Sequence, residues 1–177
     1  VKKNNKIYEN IRLIKTIDDL KKNFTFNESN IPFKDCNYLE KRYFSYPYHK
    51  YNVYAVINSN KYSSLFVTRE IQTNNTKVLL MVDFIGEHND IIVISNYLNS
   101  ILTECNYEYV TFLEYGIPST LMKETKFELL KHENKKIVIP IYFSPFLKQN
   151  IKIIFFADNI PHNYCIFKAD GDQDRPN

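Results

Sequence analysis

Carboxylates and tyrosines lie near the ends of several β-branched and aromatic segments of the sequence. Glu70 and Asp83 close two segments that we expect to be neighbouring strands, and Glu114 ends a third segment beside Tyr115. A carboxylate can take a proton from a nucleophile while a phenol gives one to a leaving group, so these residue types can perform general acid and base chemistry. Tyr142, in a later segment, is a second candidate for the acid. The alternative is that these residues are ordinary strand-end charges and rim or core tyrosines.

Histidine is the side chain that titrates closest to neutral pH, and two of the four histidines have a suggestive position. His49 follows an aromatic segment at the entrance to the predicted sheet, where it could act as a base or lie on a loop surface. His88 lies in an acidic turn, where a protonated ring could partly offset Glu87 and Asp90. No two histidines have the i, i+4 spacing of metal ligands, so we predict no zinc site.

The three cysteines, Cys36, Cys105 and Cys165, are odd in number, far apart and without a C-x-x-C pair. Neither a disulfide framework nor a zinc knuckle is indicated. A nucleophilic cysteine needs a base beside it, and none of the three has one nearby in the sequence. We therefore expect buried, reduced thiols of a cytoplasmic protein.

Acidic residues alternate near the end of the sequence at Asp170, Asp172 and Asp174. Carboxylates in this spacing could chelate a hard cation, but the EF-hand pattern fails because Gly171 stands at its second place. The remaining alternatives are a polar tail and, together with Arg175, an acidic cluster at the end of a strand beside a cleft. We predict no metal site.

Length and composition indicate one domain for these side chains, because 177 residues is close to the usual domain size. The net charge of +3, from 23 basic and 20 acidic residues mixed along the chain, predicts no nucleic-acid partner. No apolar run approaches the length that spans a bilayer. The sequence begins at Val1 without an apolar leader, which favours a cytoplasmic protein, and without Met, which suggests excision from a longer one.

The periodicity of the sequence predicts an α+β fold, a central, mixed, mostly antiparallel sheet flanked by helices in the order β-α-α-β-β-β-α-β-α-β-β. Strands are expected at 10–14, 51–57, 64–71, 77–84 and 107–115, and helices at 16–24, 35–47, 89–106 and 118–126. Later β-rich segments fall at 127–130, 136–142, 151–156 and 164–167.

This order resembles the GNAT acyltransferase superfamily along nearly the whole chain. Four segments also resemble GNAT-like proteins encoded among bacterial surface-polysaccharide genes: NYLEKRY at 37–43, VDFIG at 82–86, IPIYFSPF at 139–146 and DGDQDRPN at 170–177. The resemblance implies a single GNAT-like domain over 1–177 that moves an acyl group from acetyl-CoA or another acyl-CoA to an amine. An amino sugar nucleotide or a glycan of surface-polysaccharide biosynthesis is the implied acceptor.

The family also implies roles for individual residues. Its acyl-CoA pyrophosphate binds backbone amides between the fourth strand and the long helix, where free N–H groups and the helix dipole attract anions. In this sequence those amides belong to Phe84, Ile85, Gly86, Glu87, His88 and Asn89. For such an enzyme, the strand-end residues supply the candidates: Asp83, Glu70 or Glu114 as the base, and Tyr115 or Tyr142 as the acid. The acceptor would be bound by His49, Arg69, Asp170, Asp172 and Arg175.

The sequence departs from the family at two places. The turn has one glycine, Gly86, and its Glu87 and Asp90 repel a pyrophosphate. Leu121 and Met122 stand where the family often has its acid tyrosine. A second hypothesis is therefore a non-catalytic, GNAT-shaped binding module of a larger glycan-synthesis protein.

Overall fold

The computed structural model describes residues 9–73, 76–131, 133–134, 136–139, 148–150 and 153–171. The helices are α1 (Ile17–Asn23), α2 (Cys36–Leu39), α3 (Asp90–Glu104) and α4 (Ser119–Met122). A π-helical turn over Glu40–Phe44 continues α2, and a 3-10 turn covers Lys168–Asp170. The strands are β1 (Ile11–Ile14), β2 (Asn52–Asn58), β3 (Lys61–Thr73), β4 (Thr76–Gly86), β5 (Val110–Phe112), β6 (Glu114–Tyr115) and β7 (Ile166–Phe167).

The main sheet has five strands in the order β1-β2-β3-β4-β5. The first four pair antiparallel, and β5 pairs parallel to β4 after the crossover through α3. The parallel pairing covers only Leu79 to Met81 of β4, and β4 continues to Gly86 without β5 beside it. A second, two-stranded sheet of β6 and β7 follows. The α+β class and the mixed, mostly antiparallel sheet are confirmed.

An extra residue in β4 decides where Asp83 points. Val67 pairs with Asp83, but the next residue, Thr68, pairs with Met81, so Val82 is inserted at a β-bulge. Side chains alternate between the faces of a strand, and one inserted residue reverses that alternation. Asp83 therefore shares the sheet face of Val82 and Leu80 rather than that of Met81.

The two faces of the main sheet carry separate hydrophobic clusters. One face packs against α1 and α2, where Leu20 and Leu39 are fully buried. The other packs against α3, whose Ile91, Ile94 and Leu98 form a buried stripe at helical spacing. Each face is thus closed by helices that follow from the apolar periodicity of the sequence.

Several predicted elements differ from those observed. The strand expected over 107–115 is divided into β5 and β6, and the helix expected over 118–126 is a single turn, α4. Strands are also expected at 127–130, 136–139 and 153–156, but these described residues form no strand. Apolar alternation favours a strand only where a partner edge is available, and β5 ends at Phe112. The predicted residues 140–142 and 151–152 lie outside the described part.

Candidate active site

A group of buried charges lies on the α1–α2 face of the sheet and contains two predicted site residues. The Asp83 carboxylate is completely buried and accepts hydrogen bonds from Lys34 Nζ and from Tyr43 Oη, both at 2.5 Å. Lys34 Nζ also lies 2.8 Å from a carboxylate oxygen of Asp170. We call Lys34, Tyr43, Asp83 and Asp170 the buried charge cluster. It joins three distant parts of the chain around one ammonium group.

The electrostatics of the buried charge cluster keep Lys34 charged and Tyr43 neutral at neutral pH. Burial by itself would lower the pKa of Lys34, but the charges of Asp83 and Asp170 outweigh it and leave that pKa raised. Burial, together with the charge of Asp83, raises the pKa of Tyr43 well above its usual value. Burial and the charge of Asp83 also raise the pKa of Asp170. Lys34 is therefore a cation and Tyr43 a neutral donor, and both bind the Asp83 carboxylate.

The turn between β4 and α3 has its amides partly engaged within the protein. Gly86 has a φ of 128°, and a Cβ there would lie 2.6 Å from the Ser63 carbonyl oxygen. The Phe84 amide donates to the Asp83 carboxylate at 2.9 Å, and the Glu87 amide donates to Ser64 Oγ at 2.8 Å. The sequence thus forms the expected tight turn, but at least two of the six amides assigned to a pyrophosphate have internal acceptors.

An internal carboxylate lies at the start of α3. Asp90 is the first residue of the helix, and its Oδ2 accepts hydrogen bonds from Ser63 Oγ at 2.5 Å and from Ser64 Oγ at 2.6 Å. Negative charge is favoured at a helix N-terminus because of the helix dipole. The protein therefore supplies its own anion near the position that the resemblance assigns to a phosphate.

A thiol and an imidazole meet beside this turn. Cys165 Sγ lies 3.4 Å from His88 Nε2, although the two residues are 77 positions apart in the sequence. Both side chains are half-buried and line a cavity of about 100 Å³ together with Lys34, Phe84 and Phe167. We call this the Cys165 cavity. The sequence contains no local signal for the pair, because the approach depends on how β7 packs.

Glu114 and Tyr115 occupy β6, but they differ in environment. Glu114 accepts a hydrogen bond from the Ile117 amide at 3.2 Å, and burial raises its pKa. Tyr115 is 43% exposed, and its ring packs edge-on against Phe155 at 4.8 Å between centroids. Glu114 is the predicted base with both partial burial and access to a cleft.

The remaining predicted site residues are dispersed. Glu70 is exposed, pairs with Leu79 rather than with Asp83, and accepts a hydrogen bond from Tyr107 Oη at 2.7 Å. His49 packs against the rings of Tyr46 and Tyr51, and Arg69 is largely buried in β3. Among the described residues, Glu114 and Arg69 line one cleft and Asp83 lies with Asp170, while the other predicted acids, bases and acceptor residues lie apart from both. Three further predicted residues, Tyr142, Asp172 and Arg175, lie outside the described residues.

A large cleft of about 1160 Å³ runs along β5. Its apolar wall includes Leu98 and Leu102 of α3 and the side chains of β5. Glu114 lines it, and so do basic residues from three separate segments: Arg69, Lys123, Lys126 and Lys168. We call this the β5 cleft. Its wall also contains residues of 127–130 and 153–154, the segments that were expected to form strands.

Within the described part of the chain, no group of three or more His, Cys, Asp or Glu side chains is arranged to hold a metal ion. In that same part, no helix has both the length and the apolar character needed to cross a bilayer.

Comparison with known proteins finds only distant likenesses. No family model matches the sequence, and no curated protein matches it significantly. Among solved structures, an aminoglycoside acetyltransferase from an uncultured soil metagenomic sample, in complex with trehalose, is 15% identical with a TM-score of 0.42, covering 72% of this chain and 95% of that one. Its complex with sisomicin gives 16% identity and a TM-score of 0.36, covering 57% and 74%. Likenesses this weak do not by themselves establish a shared fold or activity.

Proposed function

We propose that this protein is an acyltransferase that moves an acyl group from an acyl-CoA to an amine. The observation that carries the proposal is the β4–α3–β5 unit: two parallel strands that pair over three residues and then separate, with a helix starting just beyond the longer strand. Ligands of open sheets bind where neighbouring parallel strands part at their carboxyl ends. The sequence resemblance to GNAT enzymes supports the same assignment.

The β5 cleft has the size and chemistry for the donor. Its volume slightly exceeds the range of about 300–1000 Å³ that is typical of sites for drug-sized molecules. This suits an acyl-CoA, because that thioester is longer than a drug-sized molecule. Its mostly apolar wall suits a pantetheine arm, and Lys123, Lys126 and Lys168 supply positive charge for phosphates. We propose an amino sugar nucleotide as acceptor, because its phosphates would meet the same basic groups.

Glu114 is the residue that we assign as general base. A half-buried carboxyl with a raised pKa accepts a proton more readily than an exposed one, and Glu114 lies in the wall of the β5 cleft. An ammonium acceptor must lose a proton before its nitrogen can attack a thioester. Asp83 is less suited to this step because its carboxylate is fully enclosed by its donors.

The test is a thiol-release assay with acetyl-CoA and a panel of amino sugar nucleotides. We expect Glu114→Gln to lower kcat by about 10²-fold or more, since general-base catalysis contributes about 10²–10⁴-fold. Glu128→Gln is the matched control, because Glu128 lines the same cleft but is exposed. Equal rates for the two variants would remove Glu114 from the reaction, and no thiol release with any acceptor would contradict the acyltransferase.

A non-catalytic, GNAT-shaped binding module of a larger glycan-synthesis protein is the second candidate. The Asp90 carboxylate favours it, because it occupies the start of α3 and repels a pyrophosphate there. Isothermal titration separates the two functions. Micromolar binding of acetyl-CoA supports the enzyme, whereas binding of an amino sugar nucleotide without any binding of CoA supports the module.

A further inference from the structure

We propose that Cys165 is a nucleophile that carries the acyl group as an enzyme thioester, with His88 as its base. The inference rests on the proposed acyl transfer and adds a covalent step to it. The ligand class of the Cys165 cavity is then a short acyl thioester. The cavity's position beside the end of β4 places this chemistry where β4 and β5 have separated.

The geometry of the pair is that of an activated nucleophile. Cys165 Sγ and His88 Nε2 are 3.4 Å apart, within hydrogen-bonding distance for sulfur, and both atoms belong to side chains that line the same cavity. Gly116 allows the approach, because a Cβ at that position would lie 2.8 Å from Cys165 Sγ. The other cysteines differ: Cys105 is exposed, and Cys36 lies on α2.

The environment of the pair keeps both groups uncharged before the attack. Burial lowers the pKa of His88, so the imidazole is neutral and able to accept a proton. Burial and the charge of Glu114 raise the pKa of Cys165, whereas the charge of Lys34 acts in the opposite direction. Cys165 therefore rests as a thiol beside a neutral base, and Lys34 is one of the residues that line the cavity in which negative charge would develop.

The chemical step balances as follows. The Cys165 thiol gives its proton to His88 Nε2, its sulfur attacks the carbonyl carbon of the acyl-CoA, and the bond from that carbon to the CoA sulfur breaks. His88 returns the proton to the CoA thiolate, which leaves as a thiol. The amine nitrogen then attacks the carbonyl carbon of the Cys165 thioester, and the bond from that carbon to Cys165 Sγ breaks. The nitrogen loses a proton to a base, and a proton returned to the sulfur restores the Cys165 thiol. No oxidant or other reactant is needed.

The cavity also limits the acyl group. Its volume of about 100 Å³ is well below the 300 Å³ or so at which sites for drug-sized ligands begin. This volume is too small for the nucleotide part of the donor, and it is also too small for a long acyl chain, so we expect only a short acyl group to enter. We therefore expect acetyl transfer to be favoured over transfer of long acyl chains.

The test uses a small acetyl thioester, S-acetyl-N-acetylcysteamine, so that reaction at Cys165 does not depend on CoA binding. Acetylation of each cysteine is followed over time by peptide mass spectrometry at neutral pH. We expect Cys165 to be acetylated at least tenfold faster than Cys105, which is the exposed internal control. We also expect His88→Gln to slow the acetylation of Cys165 by about 10²-fold. Equal rates at Cys165 and Cys105, or no effect of His88→Gln in a variant with native circular dichroism, would overturn the inference.

A second measurement separates this inference from the proposed function. The rate of amine acetylation by acetyl-CoA is compared between the original protein and Cys165→Ala. If Cys165→Ala does not fold, Cys165→Ser takes its place. Loss of activity in a folded variant supports the covalent step. Unchanged activity overturns the covalent step and leaves the acyltransferase standing. Rapid acetylation of Cys165 by the small thioester, without any reaction of acetyl-CoA, supports the nucleophile and contradicts the proposed donor.

Discussion

Lys34 places a full positive charge in the interior, where the carboxylates of Asp83 and Asp170 compensate it. Its side chain is 4% exposed, and Asp83 and Asp170 approach its Nζ within 2.5–2.8 Å. Removing one partner of a buried ion pair leaves uncompensated charge behind. The stability of the protein should therefore depend strongly on this one residue.

We predict that Lys34→Met lowers the free energy of unfolding by about 3–5 kcal/mol, because two buried carboxylates lose their cation. Urea denaturation followed by circular dichroism measures the change. Lys50→Met is the control, since Lys50 is exposed, and we expect it to change stability by less than about 0.5 kcal/mol. A loss from Lys34→Met no greater than that of the control would show that the buried charge cluster does not stabilise the fold.

The buried charge cluster also predicts alkaline sensitivity. Lys34 and Tyr43 both have folded pKa values above the ordinary 10.5 and 10.0, so above about pH 10 the folded state holds more protons than the unfolded state. The free energy of unfolding then falls as pH rises, by up to about 1.4 kcal/mol per pH unit for each proton. The stabilisation that protonated Lys34 and Tyr43 give the fold is fully present below about pH 10.

Urea titrations at pH 8, 10 and 11 should show this fall, and Tyr43→Phe should reduce its slope because one of the two groups is gone. Tyr48→Phe serves as the control, since Tyr48 is 72% exposed. The same slope in the protein and in Tyr43→Phe would exclude Tyr43 as a source of the pH dependence.

Single residues could be predicted from the sequence better than their partners could. Asp83, Asp170 and Glu114 are chemically distinctive where they stand, and the structure places each in a buried or half-buried polar environment. Their partners come from distant segments: Lys34 is 49 positions from Asp83, and His88 is 77 from Cys165. Such pairs depend on the bulge in β4 and on the packing of β7, which no local pattern encodes.

Gly86 sets the geometry of the element that joins β4 to α3. Its φ of 128° is rarely adopted by residues with a side chain, and the added Cβ would also meet the backbone of Ser63 and Ser64. We predict that Gly86→Ala lowers the free energy of unfolding by roughly 2–4 kcal/mol, from backbone strain and overpacking together.

Thermal and urea unfolding measure that loss, with Gly171→Ala as the matched control. Gly171 has a φ of −105°, which any residue adopts, so alanine there should be tolerated within about 1 kcal/mol. Comparable stability of the two variants would mean that the turn can rearrange around a side chain.

At the scale of elements, the sequence predicts best where a segment is both periodic and bounded by turn residues. Helix α3 and the β2–β3 hairpin agree with the expectation, and the hairpin turns through Ser59 and Asn60 with positive φ. The segments 127–130 and 153–156 have equally apolar patterns but form no strands. Their side chains include Leu129 and Phe156, which are 90% and 93% exposed. The two outer strands of the main sheet, β1 and β5, are only four and three residues long, so they offer short edges for pairing.

At the scale of the whole molecule, contacts attach β7 and the following 3-10 turn to β4. Asp170 binds Lys34 and accepts a hydrogen bond from the Phe167 amide at 2.9 Å, while the Phe167 ring packs against Phe84. This segment also carries Cys165 to His88. The integrity of the Cys165 cavity therefore depends on one carboxylate several residues away.

We predict that Asp170→Ala lowers the free energy of unfolding by about 2 kcal/mol, the size of hydrogen bonds to a charged group, and speeds hydrogen exchange at the Phe167 amide. Cys165 should also become more reactive toward iodoacetamide as the segment opens. Asp158→Ala is the control, because Asp158 is exposed. Unchanged exchange at Phe167 would show that other contacts hold the segment.

The distance along the chain between the members of the buried charge cluster has a consequence for biosynthesis. Asp170 is synthesised 136 residues after Lys34, and until it emerges from the ribosome the ammonium group has only one of its two carboxylates. A nascent chain can pair β1 to β4 and form the Lys34–Asp83 ion pair early, yet Lys34 still lacks its second carboxylate. A pause in translation shortly before Asp170 would hold the protein in a state with an open face, and chaperones would find their binding site there.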